Sequence, residues 1–199
     1  MAQIEATSVL GNTTRVSSPA RWVGTVIAGS ALMAICSHIS IPLFFTPVPL
    51  TLQPFAVLLL GLLLDPGAAF AAMALYLAEG AVGLPVFTPQ GPGGTLQLFG
   101  PTGGYLMSYP FVAALISTIY RRLRLRSFGT ALIAAAAGNL VILAAGTVWM
   151  ASVLHQQFTH VLSLSVVPFL PGDALKVCAA AAITTGWLRL RKIEEKAGR

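Results

Sequence analysis

Charged residues are scarce in this chain of 199 residues, because only 9% of them are Asp, Glu, Lys or Arg. Average soluble domains are about one-quarter charged, so the composition excludes an ordinary soluble globule. Cysteine is scarcer still: Cys36 and Cys178 both lie inside apolar runs, which excludes a disulfide-stapled secreted fold. Hydrophobic residues, in contrast, make up 56%, in stretches of membrane length that run from Trp22 almost to the C-terminus. That density also excludes disorder.

Sequence motifs for common catalytic chemistry are absent too. The chain has no Gly-x-x-x-x-Gly-Lys-Ser/Thr motif, so any ATP hydrolysis has to come from a partner protein. It has no Gly-x-Ser-x-Gly motif, which argues against a serine hydrolase. His155 and His160 are five residues apart, which takes them off one helical face, and no Cys or carboxylate is nearby. We therefore expect no metal and no bound cofactor.

Six apolar segments predict an all-α, polytopic membrane protein built as a six-transmembrane-helix bundle. A membrane-spanning helix needs about twenty mainly apolar residues. The segments are 22–44, 53–64, 67–82, 103–120, 128–154 and 168–190. The second and third are short, and the turn signal Asp65-Pro66-Gly67 between them predicts a helical hairpin. We expect a flexible cytoplasmic tail over 1–20, a membrane domain with the binding site over 21–191, and a cytoplasmic C-terminal tail over 192–199.

The basic residues predict the orientation in the lipid bilayer. All but one of the 12 Lys and Arg residues precede the first segment, lie between the fourth and fifth, or follow the sixth: Arg15, Arg21, Arg121, Arg122, Arg124, Arg126, Arg189, Arg191, Lys192, Lys196 and Arg199. Cytoplasmic loops are enriched in Lys and Arg, so we expect both termini to be cytoplasmic. The net charge of +6 then reports membrane orientation rather than nucleic-acid binding.

The remaining basic residue, Lys176, lies inside the sixth segment, three residues after Asp173. Ionised groups in a membrane segment usually face a cavity and a partner, and this spacing puts both side chains on one helical face. One interpretation is an ion pair that only fixes the helix end, and the other is a polar ligand site. The expected topology favours the ligand site, because it brings further polar side chains to the same outer level. These are Gln53, Tyr76, Glu79, Thr102 and Tyr105.

The connection 83–105 is long and rich in glycine and proline. Loops of this length are commonly functional. We interpret it as a lid, in which glycines such as Gly94 let the backbone approach a ligand, and Phe87 and Phe99 cover an apolar ring. A passive extracellular connector is the alternative. A phosphate-binding loop is excluded, because no basic residue lies in the connection.

Small and polar residues inside the helices predict contacts between helices. Spacings of four link Gly24 with Ala28 and Ser30 with Ala34 in the first segment, which favours close approach of another helix, from this bundle or from a partner protein. Asn139 in the fifth segment is typical of an interhelical hydrogen-bond donor.

Four sequence blocks resemble the BioY family, the biotin-binding S components of energy-coupling factor (ECF) transporters. The blocks are 47–53 (PVPLTLQ), 76–87 (YxxxGxxGxPVF), 100–105 (GPTGGY) and 169–176 (FLPGDxxK). They occur in the family's order and spacing. The resemblance implies the S-component fold, no enzymatic activity, and a place in the cytoplasmic membrane of a bacterium or archaeon. It also implies capture of biotin as the transported substrate, with energy from a T component and two ABC-type ATPases.

The resemblance further implies roles for the polar residues. Asp173 is expected to accept from a ureido N–H of biotin, while Lys176 supplies positive charge for an oxygen. The other substrate-binding candidates are Gln53, Tyr76, Glu79, Phe87, Gly94, Thr102 and Tyr105. Two alternatives stay open: an S component for another vitamin, and a membrane enzyme that uses Asp173 and Lys176.

Overall fold

A computed structural model describes residues 19–123 and 125–197. Over these residues the chain forms eight helices and one antiparallel pair of two-residue strands. The elements are α1 (Pro19–His38), β1 (Ser40–Ile41), β2 (Leu50–Thr51), α2 (Gln53–Leu63), α3 (Pro66–Ala81), α4 (Gly94–Phe99), α5 (Gly103–Arg122), α6 (Phe128–Leu154), α7 (Phe158–Ser165) and α8 (Leu170–Ala197). The prediction of an all-α bundle is confirmed, and its six segments correspond to α1, α2, α3, α5, α6 and α8.

Two predicted helix ends are wrong. α1 ends at His38 rather than near residue 44, because β1 begins at Ser40 and Pro42 follows it. Proline lacks the backbone N–H that a continuing helix needs. α8 runs to Ala197 rather than to 190, so most of the predicted C-terminal tail is helical. Residues 1–18 of the predicted N-terminal tail lie outside the described residues. The last two residues of that predicted tail, 19 and 20, belong to α1.

The hairpin between α2 and α3 has the predicted turn. The Asp65 side chain accepts a hydrogen bond from the backbone N–H of Ala68 at 3.0 Å, and Pro66 takes the first helical position. An N-cap carboxylate accepts a hydrogen bond from a free N–H of the first turn. Proline at the first helical position costs no helical hydrogen bond, because the N–H of that position has no acceptor within the helix. At the start of α5, the N-cap residue Thr102 makes no capping hydrogen bond with its side chain. The start of α6 is capped by Ser127 and Thr130, which form a reciprocal capping box.

α5 lies at the centre of the bundle and packs against α2, α3 and α6, while α8 packs against α2 and α6. Glycines permit the close approach. A Cβ on Gly61 would lie 2.9 Å from Cβ of Ile116, and a Cβ on Gly138 would lie 2.3 Å from Cδ1 of the same side chain. Ile116 of α5 is therefore held between a glycine of α2 and a glycine of α6.

α1 packs against α3, and the two helices run in the same direction. Ser30 donates to the Glu79 carboxylate, and Ser37 donates to the carbonyl of Val86 at 2.5 Å. The small residues predicted to mediate helix contacts in α1 therefore lie on different faces of the helix. Ser30 is buried against α3, whereas Gly24 and Ala28 are exposed.

Among the helices of the described residues, α1 and α6 are each long and apolar enough to cross a membrane on their own. α7 and α8, which are bent by 53° at their junction, pass the same criterion as a pair. α2 has 11 residues and α3 has 16, fewer than the roughly twenty that span a bilayer. Six separate crossings therefore stay a prediction from the sequence.

Candidate functional site

A cavity opens at the end of the bundle where α2, α5 and α8 begin. The cavity and its open mouth together occupy about 520 Å³, a figure that includes the part that merges with solvent. The apolar part of its wall includes Val48, Leu106, Tyr109, Ile142, Leu143 and Phe169. The polar part consists of Thr51, Gln53, Thr88, Gln97, Thr102, Tyr105, Asp173 and Lys176. An apolar wall with a few convergent polar groups is the usual composition of a small-ligand site.

Asp173 and Lys176 form an ion pair on this wall. Lys176 Nζ lies 3.0 Å from Asp173 Oδ1, and only 11% and 5% of the two side chains are exposed. Asn139 of α6 donates from Nδ2 to the other carboxylate oxygen, Asp173 Oδ2, at 3.3 Å. The carboxylate is thus held from both sides. Both charged residues line the cavity, so the pair lies where a ligand in the cavity could contact it.

Gln53 has a fixed carboxamide at the start of α2. Thr51 donates from its hydroxyl to Gln53 Oε1 at 3.2 Å, and Gln53 donates from Nε2 to the Tyr76 hydroxyl at 2.7 Å. Behind this bond, the Phe87 ring meets the Tyr76 ring edge-on, with centroids 5.3 Å apart. Tyr76 and Phe87 therefore support the polar wall from outside the cavity.

The segment Gly100–Tyr105 brings Thr102 and Tyr105 to the cavity. Trp149 of α6 donates from its indole nitrogen to the carbonyl of Gly100 at 2.9 Å. Tyr105 donates to the carbonyl of Ser165 at 3.0 Å, and its ring occupies the space beside Gly146. The start of α5 is thereby tied to both α6 and α7.

The structure brings together five of the nine predicted site residues: Gln53, Thr102, Tyr105, Asp173 and Lys176. The other four lie outside the cavity wall. Tyr76 and Phe87 are the supporting residues described above, Glu79 accepts from Ser30 between α3 and α1, and Gly94 begins α4 with a φ of 59°.

Sequence reasoning missed Gln97, Thr88 and Tyr109 on the cavity wall. Gln97 belongs to α4 and is only 1% exposed. Its Oε1 accepts from the backbone N–H of Gly93 at 3.2 Å, and its carboxamide occupies the space beside Gly91. The glycines of the predicted lid thus make room for a polar side chain of the loop itself. The available signal was a glutamine between Leu96 and Leu98 in a glycine-rich loop.

Metal chemistry has no support from side-chain geometry here. In residues 19–123 and 125–197, no group of three or more His, Cys, Asp or Glu side chains could hold a metal ion. The charges of the cavity are those of Asp173 and Lys176. The cavity therefore combines one pair of opposite charges with a largely apolar wall.

Comparison with known proteins decides the family. The model of the BioY family matches residues 10–193. The chain belongs to the BioY family. The resemblance of the four sequence blocks is thereby confirmed, and three of the four blocks contribute cavity-lining residues.

Named relatives agree with this assignment. "Biotin transporter BioY" of Thermotoga maritima is 38% identical to this BioY chain over 165 residues, which is 83% of this chain and 92% of the relative. "Biotin transporter BioY2" of Lactococcus lactis subsp. cremoris is 36% identical over 153 residues, which is 76% of this chain and 82% of the relative. These relatives are named as transporters, so the alternative of a membrane enzyme loses its support.

A solved structure shares the fold. The crystal structure of the S-component for biotin from an ECF-type ABC transporter matches this BioY chain with a TM-score of 0.79 at 28% identity. The match covers 87% of this chain and 92% of the other. The prediction of the S-component fold is confirmed.

Proposed function

We propose that this chain is a membrane-embedded biotin-binding subunit of a vitamin uptake transporter, and that biotin binds in the cavity at the start of α2, α5 and α8. The observation that carries the proposal is the nearly buried Asp173–Lys176 pair on a largely apolar cavity wall. Biotin has a matching composition, with an apolar ring and chain, ureido N–H groups and anionic or carbonyl oxygens.

The polar groups suggest a division of roles. Asp173 accepts from a ureido N–H, and Lys176 donates to an oxygen of the ligand. An ammonium group carries three donors, and one of them is directed at Asp173 Oδ1. Gln53, Thr102 and Tyr105 add further polar contacts, while the apolar wall encloses the ring. A site built on such hydrogen bonds rejects analogues that lack the matching group.

Orientation and partners complete the proposal. With Lys and Arg on the cytoplasmic side, both termini are cytoplasmic and the cavity faces outward, as expected of a multi-pass membrane protein that captures its substrate outside the cell. The energy for import comes from a T component and ABC-type ATPases, because the chain carries no ATP-binding Gly-Lys-Ser/Thr loop. α1 exposes Gly24 and Ala28, where a helix of a partner can approach closely.

Calorimetric titration of the purified chain with biotin tests the proposal. We expect one biotin per chain, and at least a tenfold loss of affinity in Asp173→Asn and in Lys176→Ala, because each change removes a charge-assisted hydrogen bond worth roughly 1.5–3 kcal/mol. Glu194→Gln and Lys196→Ala are matched controls, since both residues are exposed near the other end of α8 and should leave the affinity unchanged.

The outcomes separate the alternatives. Wild-type affinity in both cavity variants would remove Asp173 and Lys176 from the site. Tighter binding of thiamine or riboflavin than of biotin in a competition titration would assign the cavity to another vitamin. Conversion of a bound ligand into a product would contradict a transport subunit.

A further inference from the structure

A second cavity lies at the opposite end of the bundle, between the start of α6 and the second half of α8. Its volume is about 500 Å³, including the part open to solvent. It is lined by Arg126, Ser127, Phe128, Thr185, Leu188 and Arg189. Asp173 and Arg189 are sixteen positions apart on α8, which corresponds to about 24 Å along a helix. This cavity is therefore separate from the candidate biotin site.

The two arginines bring positive charge to this cavity from two different parts of the fold. Arg126 precedes the cap of α6, and Arg189 belongs to α8. Within the described part of the chain, neither guanidinium makes a hydrogen bond or an ion pair with another residue. The acidic side chains of this end are engaged elsewhere or lie further along: Asp65 caps α3, and Glu194 and Glu195 follow Arg189 on α8. The cavity thus presents two guanidinium groups for which residues 19–123 and 125–197 supply no anionic partner.

Guanidinium groups are the preferred donors to phosphate. Each carries five N–H groups in a planar fork that can bind two phosphate oxygens at once. Two arginines that line one cavity therefore supply guanidinium donors for a phosphate group.

The cavity also has apolar side chains in its lining, Phe128 and Leu188, of which Phe128 is 43% exposed. On the opposite face of α8, at the same level along the helix, Trp187 is 50% exposed. The Arg191 guanidinium lies over the Trp187 ring, 5.3 Å from its centroid. An exposed tryptophan beside arginines is typical of the level at which a bilayer meets water. A phosphate that reaches this cavity can therefore be carried on a molecule whose acyl chains contact the exposed ring of Phe128.

We propose that the cavity between Arg126 and Arg189 binds the phosphate of an anionic phospholipid on the side of the membrane opposite the vitamin site. Basic pockets between transmembrane helices are a recurring way to recognise anionic lipid headgroups. The site does not depend on biotin, so it stands or falls separately from the proposed transport function.

Native mass spectrometry of the detergent-solubilised chain tests this site. The titrants are phosphatidylglycerol, phosphatidylcholine and inorganic phosphate, the last distinguishing a free anion from a lipid. We expect phosphatidylglycerol adducts at concentrations at least tenfold below those needed for phosphatidylcholine. The double variant Arg126→Gln/Arg189→Gln should lose this preference, and Arg126→Lys/Arg189→Lys should keep part of it, because lysine retains the charge but not the planar fork.

A charge-matched control decides between a site and diffuse attraction. Arg21→Gln/Arg122→Gln removes the same two charges from positions that do not line the cavity and should retain the lipid preference. Equal loss in both double variants would overturn the proposal, as would an absence of preference in the wild-type chain. Binding of inorganic phosphate as tight as that of the lipid would overturn the lipid assignment. Biotin titration of each variant, expected to be unchanged, checks that the bundle is intact.

Discussion

Asn139 holds the Asp173 carboxylate from the side opposite Lys176. Its Nδ2 donates to Asp173 Oδ2 at 3.3 Å, while Lys176 Nζ donates to Oδ1 at 3.0 Å. Asn139 itself lies outside the cavity wall, and its Oδ1 is a buried atom with no partner in the described residues. The side chain therefore fixes the direction of the carboxylate, and in the proposed site it acts on biotin through Asp173.

Replacing Asn139 should weaken biotin binding. In Asn139→Ala the carboxylate loses one donor, a change of roughly 1–3 kcal/mol, so we expect about a tenfold lower affinity in a calorimetric titration. Asn139→Asp, which keeps the shape but sets a second carboxylate against Asp173, should weaken binding further. The cost to folding in Asn139→Ala is limited, because the substitution also removes the unsatisfied Oδ1.

Ser152→Ala serves as the control on the same helix. Ser152 is exposed and donates only to the carbonyl of Val148 four residues earlier, so its loss should leave biotin affinity unchanged. Wild-type affinity in both Asn139 variants would show that Asp173 keeps its direction without Asn139.

Two residues of the site could be predicted from the sequence because their place in a membrane segment makes them unusual. Asp173 and Lys176 stand out because ionised groups are costly in that setting. Gln97 does not, because a glutamine in a polar loop is ordinary until α4 buries it. Tyr76 and Glu79 lie at the predicted level along α3, but helix periodicity alone could not tell which neighbour they contact.

At the scale of elements, long apolar runs predicted six helices, whereas the short elements were missed. The strands are two residues each, and α4 and α7 have 6 and 8 residues, too few for a periodic pattern. The end of α8 was missed for a different reason. Hydropathy falls after Leu190, but Arg, Lys, Glu and Ala are all good helix formers, so the helix continues beyond the apolar run.

The contact between α5 and α6 depends on Gly104. A Cβ at this position would lie 2.2 Å from Cβ of Trp149 and 2.7 Å from the carbonyl oxygen of Ala145. Since a backbone atom cannot move aside cheaply, Gly104→Ala should destabilise the bundle by about 1–3 kcal/mol. We expect a lower thermal unfolding midpoint in detergent.

Gly186→Ala is the matched control. No heavy atom lies within 4 Å of a Cβ at Gly186 in the described structure, and the residue is inside α8. Alanine is the better helix former by about 1 kcal/mol, so this variant should keep or raise the midpoint. Equal midpoints for the two variants would contradict the close packing of α5 on α6.

At the scale of the whole molecule, the two ends of the bundle differ in chemistry. The end with the candidate biotin site contains the buried Asp173–Lys176 pair, and the other end contains exposed arginines, among them Arg121, Arg126 and Arg189. α6 connects the two ends with 27 residues, or about 40 Å, more than the ~30 Å of a hydrocarbon core. Opposite ends of α6 should therefore lie on opposite sides of the membrane.

Cysteine labelling of intact cells tests this polarity. Leu125 is 73% exposed just before α6, and Gln156 is exposed just after it. With Cys178 replaced by Ala and Cys36 left buried, a membrane-impermeant maleimide should label Gln156→Cys in intact cells but Leu125→Cys only after permeabilisation. Equal labelling after permeabilisation shows that both thiols react. The reverse pattern would put the arginine-rich end outside, and a cavity that opens to the cytoplasm could not capture a vitamin from the medium.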